Sequence, residues 1–256
     1  MVKVGLQLYT VREAMERDFE GTLRKVAGLG YQGVEFAGFY GRTPEQVKAI
    51  LEETGLVALG AHTSYGRLLH ALDEEIAFNK AIGNRYLIFP YLEEKDRERW
   101  EEVIEDMKRI GQKCVDAGMV LFYHNHEFEL TEELDGQPVL DAIFAKIPSE
   151  LIQMELDSCW VSYAGFDPLE YISRYSGRLP LLHLKDMVIK TDGTAETVEL
   201  GQGEVAIKDV ADAAISAGVE WLVVEQDHCA GDALESIKTS MDWVRDYGNQ
   251  GGRINV

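Results

Sequence analysis

The sequence predicts an α/β chain folded as one closed (β/α)8 barrel over residues 1–256. Three observations predict it. A unit of amphipathic stretch, glycine and short apolar run recurs along the whole length, as in Ala27-Gly28-Leu29-Gly30 before Gly33-Val34-Glu35-Phe36. Glycine just past a helix is the usual left-handed terminator, so each instance reads helix, stop, strand. Eight such strands alternating with eight helices in 256 residues favour a parallel sheet closed into a barrel. Finally, no glycine-rich phosphate-binding turn follows the first strand, which argues against an open doubly wound sheet.

The first strand is Lys3-Val4-Gly5-Leu6-Gln7-Leu8-Tyr9, and the next three are 33–36, 57–62 and 86–89. Met119-Val120-Leu121-Phe122-Tyr123-His124-Asn125-His126 is the fifth, and 151–157, 179–186 and 221–225 complete the set. Helices are expected over 18–29, 43–53, 73–82, 94–117, 139–147, 168–175, 207–217 and 233–247. Thr43 before Pro44 and Asp167 before Pro168 are helix-start signals, since proline at the first helical position loses no needed donor. Gly201-Gln202-Gly203 is too isolated for a nucleotide loop and is assigned to a long loop after strand seven, about 187–205.

Composition narrows the partners. The formal charge is −20, from 45 acidic and 25 basic residues, a surface that repels phosphate backbones and anionic membranes. Nucleic acid and membrane are therefore not expected as partners, and no apolar run reaches 18 residues. Three cysteines without a C-x-x-C pair fit a reducing compartment, and the first segment already reads as a strand, so a cytoplasmic protein is expected. No segment declares an oligomer interface, although a homo-oligomer is compatible with the sequence.

Active sites of such barrels lie at the C-terminal ends of the strands. Those ends supply Gln7, Tyr9, Glu35, His62, His124, His126, Glu155, Asp157, His183, Lys185 and Glu225. Period-two alternation turns Leu182 and Leu184 toward the helices and His183 and Lys185 inward, and it treats Glu155 and Asp157 in the same way. So many like charges in a partly desolvated mouth call for a cation. A divalent metal is expected: Mn²⁺ first, with Co²⁺, Fe²⁺, Zn²⁺ or Mg²⁺ as alternatives, the imidazoles tilting the choice away from Mg²⁺. Such an ion would bind the carbonyl and neighbouring hydroxyl of a sugar or polyol and stabilise the enediolate left by proton removal.

Gly5-Leu6-Gln7-Leu8-Tyr9-Thr10-Val11-Arg12, Tyr123-His124-Asn125-His126, His183-Leu184-Lys185-Asp186 and Val224-Glu225-Gln226-Asp227 together resemble the sugar phosphate isomerase/epimerase group of xylose-isomerase-like TIM barrels. That group also includes inosose dehydratase, ketose 3-epimerases, hydroxypyruvate isomerase and dehydroshikimate dehydratase. The resemblance implies a metal held by Asp157, His183 and Glu225 and by an acidic residue at the end of strand five. Here the chain departs, because His124 stands where relatives carry glutamate. The fourth ligand is thus His124, or Glu127 or Glu129 reaching in, or the ion is held more weakly. The resemblance further implies His126 as general base, with an ordinary pKa of about 6.5 suited to neutral pH. Lys185 would neutralise an oxyanion, and Glu225 would serve in catalysis as well as ligation. Glu35, His62 and Glu155 would face substrate from the opposite wall, with Trp160 stacking on an apolar sugar face.

The leading functional expectation is a metal-dependent sugar isomerase or epimerase that removes a proton alpha to a carbonyl. A dehydratase acting on a keto-sugar or inosose comes second, because the missing strand-five glutamate removes one of two opposed bases. A non-catalytic sugar-binding barrel, an abasic-site endonuclease and a glycosidase using Glu35 and Glu225 are the rivals. The charge argues against the nuclease, and paired-carboxylate hydrolysis would not require these imidazoles to converge.

Overall fold

The computed structural model describes residues 1–254. Eight parallel strands close into a barrel: β1 (Lys3–Gln7), β2 (Gly33–Phe36), β3 (Val57–His62), β4 (Tyr86–Phe89), β5 (Val120–His124), β6 (Gln153–Asp157), β7 (Leu181–Leu184) and β8 (Trp221–Val224). Each pairs with its sequence neighbours, and β1 closes on β8 with Lys3 opposite Trp221 and Leu6 opposite Val224. The chain belongs to the expected fold class because its strands alternate apolar faces. Val4, Leu6, Val34, Phe36, Leu87, Phe89, Leu121, Tyr123, Met154, Leu156, Leu182 and Leu184 all turn outward into the core shared with the helices.

The barrel interior is a separate packed layer. Leu59, Ile88, Phe122, Leu181, Trp221 and Val223 fill it. Two glycines make that packing possible: a Cβ on Gly5 would lie 2.2 Å from Leu59 Cδ2, and one on Gly33 would lie 2.8 Å from Trp221 Cη2. Above this apolar plug, the inward positions switch to ionisable side chains, which sets the site at the C-terminal end of the sheet.

Helix starts behave as expected. Thr43 and Gln46 form a reciprocal capping box ahead of the helix Pro44–Thr54, and the Asp167 carboxylate accepts from Leu169 N at 2.8 Å ahead of Pro168–Arg174. Gly55 ends the former helix in the left-handed region at φ 73°.

Besides short added elements, such as the helices Arg12–Arg17 and Tyr65–His70 and the hairpin Glu133–Leu134 with Gln137–Pro138, two expectations differ from the structure. The helix foreseen over 94–117 is two helices, Glu94–Arg97 and Trp100–Asp116. Arg97 is tied back: its Nε donates to Leu92 O at 3.0 Å, and its guanidinium covers the Phe128 ring at 3.4 Å. Trp100 meanwhile turns inward and donates to Glu132 at 2.9 Å, so the axis breaks between them. The second difference lies at 187–205, where the anticipated loop contains an antiparallel hairpin, Asp186–Ile189 with Ala195–Val198. The Asp186 carboxylate organises it by accepting from the backbone N–H groups of Met187, Gly201, Gly203 and Val205 at 2.9–3.1 Å. Gly203 is required there, since a Cβ would lie 2.2 Å from Asp186 Oδ1.

Candidate active site and metal centre

A cavity of about 460 Å³ opens at the C-terminal mouth, lined by Tyr9, Ala37, His62, Ser64, Pro90, Tyr91, His124, His126, Glu225 and Asp227. Beneath it lie Glu35, Glu155, Asp157, His183 and Lys185, all fully buried. Strand register brings these together: His124 stands opposite Glu155 on the β5–β6 pair, and Asp157 opposite His183 on the β6–β7 pair.

Four residues converge where the resemblance places a metal. His124, Asp157, His183 and Glu225 are buried, and one ligand atom from each lies within 4.8 Å of the others. Of the strand-five candidates, His124 points into the cluster, while Glu129 turns away. The Glu129 carboxylate instead accepts from Tyr123 OH at 2.6 Å and from His126 N at 2.8 Å. Glu127 is half-buried at the start of the short helix Phe128–Thr131.

Lys185 is the cation of the site. Its ammonium lies 2.8 Å from Asp157 Oδ2, 2.7 Å from Glu225 Oε2 and 2.9 Å from Asp227 Oδ2. Burial alone would strip its proton, but the three carboxylates outweigh burial and hold the pKa well above the ordinary lysine value. For Glu225, burial is likewise overcome, by Lys185 and His183, and the carboxyl is held ionised. Burial dominates at Asp157 and raises it, with Lys185 opposing.

The wall toward β2 and β3 is a second charged layer. His62 Nε2 is 2.8 Å from Glu35 Oε1 and 3.2 Å from Glu155 Oε2, and His183 Nε2 is 3.0 Å from the same Glu35 oxygen. Gln7 Nε2 also donates to Glu35 Oε1. Burial pushes His62 down, yet Glu35 and Glu155 prevail and raise it to about 9. His183 is raised for the same reason, with Glu155, Glu225 and Glu35 overcoming burial. Of the two carboxyls, Glu35 is held ionised by His62 and His183 against burial, whereas burial and the Glu35 charge raise Glu155.

His126 is set apart from this network. Its ring meets Tyr91 edge-on at 5.0 Å and stacks near Phe128 and Trp160, each 5.9 Å away. The expectation of an ordinary imidazole pKa is corrected: burial, helped by the Lys185 charge, lowers it to about 3. His126 is therefore neutral at pH 7, able to accept a proton but holding it weakly. Trp160 backs this ring and lies 5.2 Å from the Lys185 ammonium, so its face is turned to protein groups.

Sequence reasoning passed over three contributors. Asp227 follows Glu225 by two residues and so shares its face, a period-two signal that was present in the chain. Tyr91 lies past the end of β4 in a segment with no ionisable strand end, and nothing in the local pattern marked it. Asn125 was read only as part of a motif. Its side chain ties the ends of β5 and β6 together, accepting from Asp157 N at 2.9 Å and donating to Asp157 O at 3.3 Å, which fixes the Asp157 backbone beside His124.

Solved structures share the fold. A sugar phosphate isomerase/epimerase from Parabacteroides distasonis superposes with a TM-score of 0.82, covering 96% of this chain and 98% of that one at 20% identity. A probable 3-DHS dehydratase from Bacillus anthracis superposes at 0.75, covering 95% and 99% at 12% identity. In sequence, the chain is 25% identical over 190 residues to the inosose dehydratase of Geobacillus kaustophilus, a match spanning 64% of this chain and 61% of that protein's length. The family model described as "Xylose isomerase-like TIM barrel" matches residues 23–247, and the chain belongs to that family.

Proposed function

We propose that this protein is a dehydratase, removing a proton alpha to the carbonyl of a keto-sugar or inosose and expelling a β-hydroxyl as water. The observation that carries the reading is the pairing of a neutral His126 on the cavity wall with the buried Lys185 ammonium beneath it. At rest one group is in the form that accepts a proton and the other in the form that donates one. The similarity to an inosose dehydratase supports the same direction.

The steps balance on this chain's own groups. His126 takes the C–H proton, and the electron pair moves to the carbonyl oxygen as an enolate. Collapse of the enolate breaks the β C–O bond, and the departing hydroxide takes a proton from Lys185. Transfer of the proton from His126 back to Lys185 restores the resting state, and the net products are a conjugated carbonyl compound and water. Asp227, Asp157 and Glu225 keep Lys185 charged between turnovers. Tyr9 and Tyr91 flank the mouth, each about 40% exposed, and offer apolar faces to a sugar ring.

The donor set fits a divalent ion. Two imidazoles and two carboxylates, all buried and convergent, are the ligand types that transition metals accept. His124, Asp157, His183 and Glu225 would hold it, and the chemistry supplied there is Lewis acidity toward the carbonyl oxygen. Lys185 shares Asp157 and Glu225 with that position, and Asp227 gives its ammonium a partner outside the ligand set.

Isomerisation or epimerisation is the second reading. Glu225 lines the same cavity and is held ionised, so a carboxylate stands ready to take a proton from one carbon and return it to another where dehydration would expel a hydroxyl. The test is incubation with inososes and keto-sugars in D₂O with added Mn²⁺. Ultraviolet absorbance from a conjugated product, abolished in His126→Asn, supports dehydration. Deuterium at carbon without absorbance favours isomerisation, and neither signal across the panel refutes both.

A further inference from the structure

The two faces of the central imidazoles look at different ligand sets. His183 turns Nδ1 toward Glu225 at 2.8 Å and Nε2 toward Glu35 and Glu155 at 3.0 and 3.4 Å. His124 turns Nε2 toward Asp157 at 3.9 Å and Nδ1 toward Glu155 at 3.4 Å. We propose a second, inner metal site, in which His62 and Glu155 bind a transition-metal ion together with His124 Nδ1 and His183 Nε2, with Glu35 beside them.

The spacing is that of a coordination shell. Ligands at about 2.1 Å from a tetrahedral ion lie about 3.4 Å from one another. Glu155 Oε2 is 3.2 Å from His62 Nε2, 3.4 Å from His183 Nε2 and 3.4 Å from His124 Nδ1. The ligand atoms of His62, His124, Glu155 and His183 all fall within 4.8 Å of one another. Independently, His124 Nδ1, Glu35 Oε2 and Glu155 Oε1 are buried and have no hydrogen-bond partner among the described residues. An unsatisfied group of this kind is expensive in a dry interior, and an ion held by Glu155 Oε2 and the imidazoles satisfies the His124 nitrogen. The backbone makes room for the Glu35 carboxylate: a Cβ at Gly60 would lie 2.9 Å from Glu35 Oε2.

Three imidazoles select a nitrogen-preferring ion such as Zn²⁺ or Co²⁺ over Mg²⁺ or Ca²⁺. Lys185 ion-pairs with Asp157 and Glu225 of the outer set and with neither Glu35 nor Glu155. The first equivalent of such an ion therefore enters the inner site, expelling the protons held on His62 and His183, and the outer position, where an ammonium competes, fills second only with His124 and His183 bridging as imidazolates. This ligand set stands whatever the substrate.

The test loads the metal-free full-length protein with one equivalent of Co²⁺ and counts coordinated imidazoles by X-ray absorption. The inner site gives three. A count of two, unchanged in His62→Gln, overturns the proposal, because His62 belongs to the inner set alone. In parallel, Asp157→Asn/Glu225→Gln retains one Co²⁺ per chain by equilibrium dialysis, and adding His62→Gln weakens that binding at least about 10-fold. Loss of the ion in the double variant, with native circular dichroism, also overturns it. Should the double variant fail to fold, the imidazole count on the wild-type protein decides alone. Dehydration that survives loss of this site would leave the proposed reaction standing, so the two ideas fail separately.

Discussion

Replacing Lys185 with methionine removes one positive charge from a pocket that holds three carboxylates within 2.7–2.9 Å of it. The side chain is fully buried, so water cannot take over its role. Breaking a buried ion pair by deleting one partner costs about 3–5 kcal/mol, because the charge left behind is uncompensated. In a chain of this length each kcal/mol is worth roughly 2–4 °C, so Lys185→Met should melt roughly 6–20 °C below wild type at pH 7.5 in chelator. A divalent ion supplies the missing charge, so Mn²⁺ should raise the melting temperature of the variant by more than that of wild type. Differential scanning calorimetry with and without metal reads both effects. A melting temperature within about 1 °C of wild type in chelator would mean that the three carboxylates do not depend on Lys185, and the electrostatic account of the site would fall.

Other expectations can be checked alongside. Glu129 is raised by burial from 4.5 to about 8, so its folded-state pKa lies above its unfolded one, and its contribution is most favourable below pH 4.5 and is lost as pH rises to about 8. Glu129→Gln, which cannot ionise, should therefore gain stability relative to wild type across that window in urea titrations and level off above it. Gly203→Ala forces a methyl against Asp186 Oδ1 and should destabilise by about 1–3 kcal/mol, with protease cleavage appearing first near the hairpin Asp186–Ile189 with Ala195–Val198. His126→Asn should lower turnover about 10²–10⁴-fold while leaving the melting curve and metal content close to wild type. A comparable fall in metal affinity would instead make His126 a ligand.

The barrel was legible because its signals are periodic. Alternation along β6 and β7 named the inward faces of Glu155, Asp157, His183 and Lys185, and the structure buries all four on that side. What escaped the sequence lies where the chain leaves regular geometry. Tyr91 sits beyond β4, and its approach to His126 depends on how two loops pack, which no local pattern encodes. The break at Arg97 is set by a guanidinium finding Phe128, thirty-one positions away. The pKa of His126 was misjudged for a related reason: residue type gives the ordinary value, while burial and the distance to Lys185 exist only in three dimensions.

Charge at the mouth ties these features together. Glu35, Glu155, Asp157, Glu225 and Asp227 gather around Lys185, His62 and His183, the three groups that their surroundings hold cationic. With all five carboxyls ionised, the negative charges outnumber the positive ones by two. The metal-free fold lessens that excess at Glu155, whose carboxyl is raised by burial and by the neighbouring Glu35 charge and so keeps its proton to higher pH than an ordinary glutamate. A divalent cation opposes the excess and lets Glu155 ionise, and each imidazolium that becomes a ligand gives up its proton. Metal uptake should accordingly release protons to solvent, more per ion from wild type than from Glu155→Gln. A pH-stat titration with Co²⁺ measures the count, and equal release from wild type and the variant would show that Glu155 holds no proton for a metal to displace.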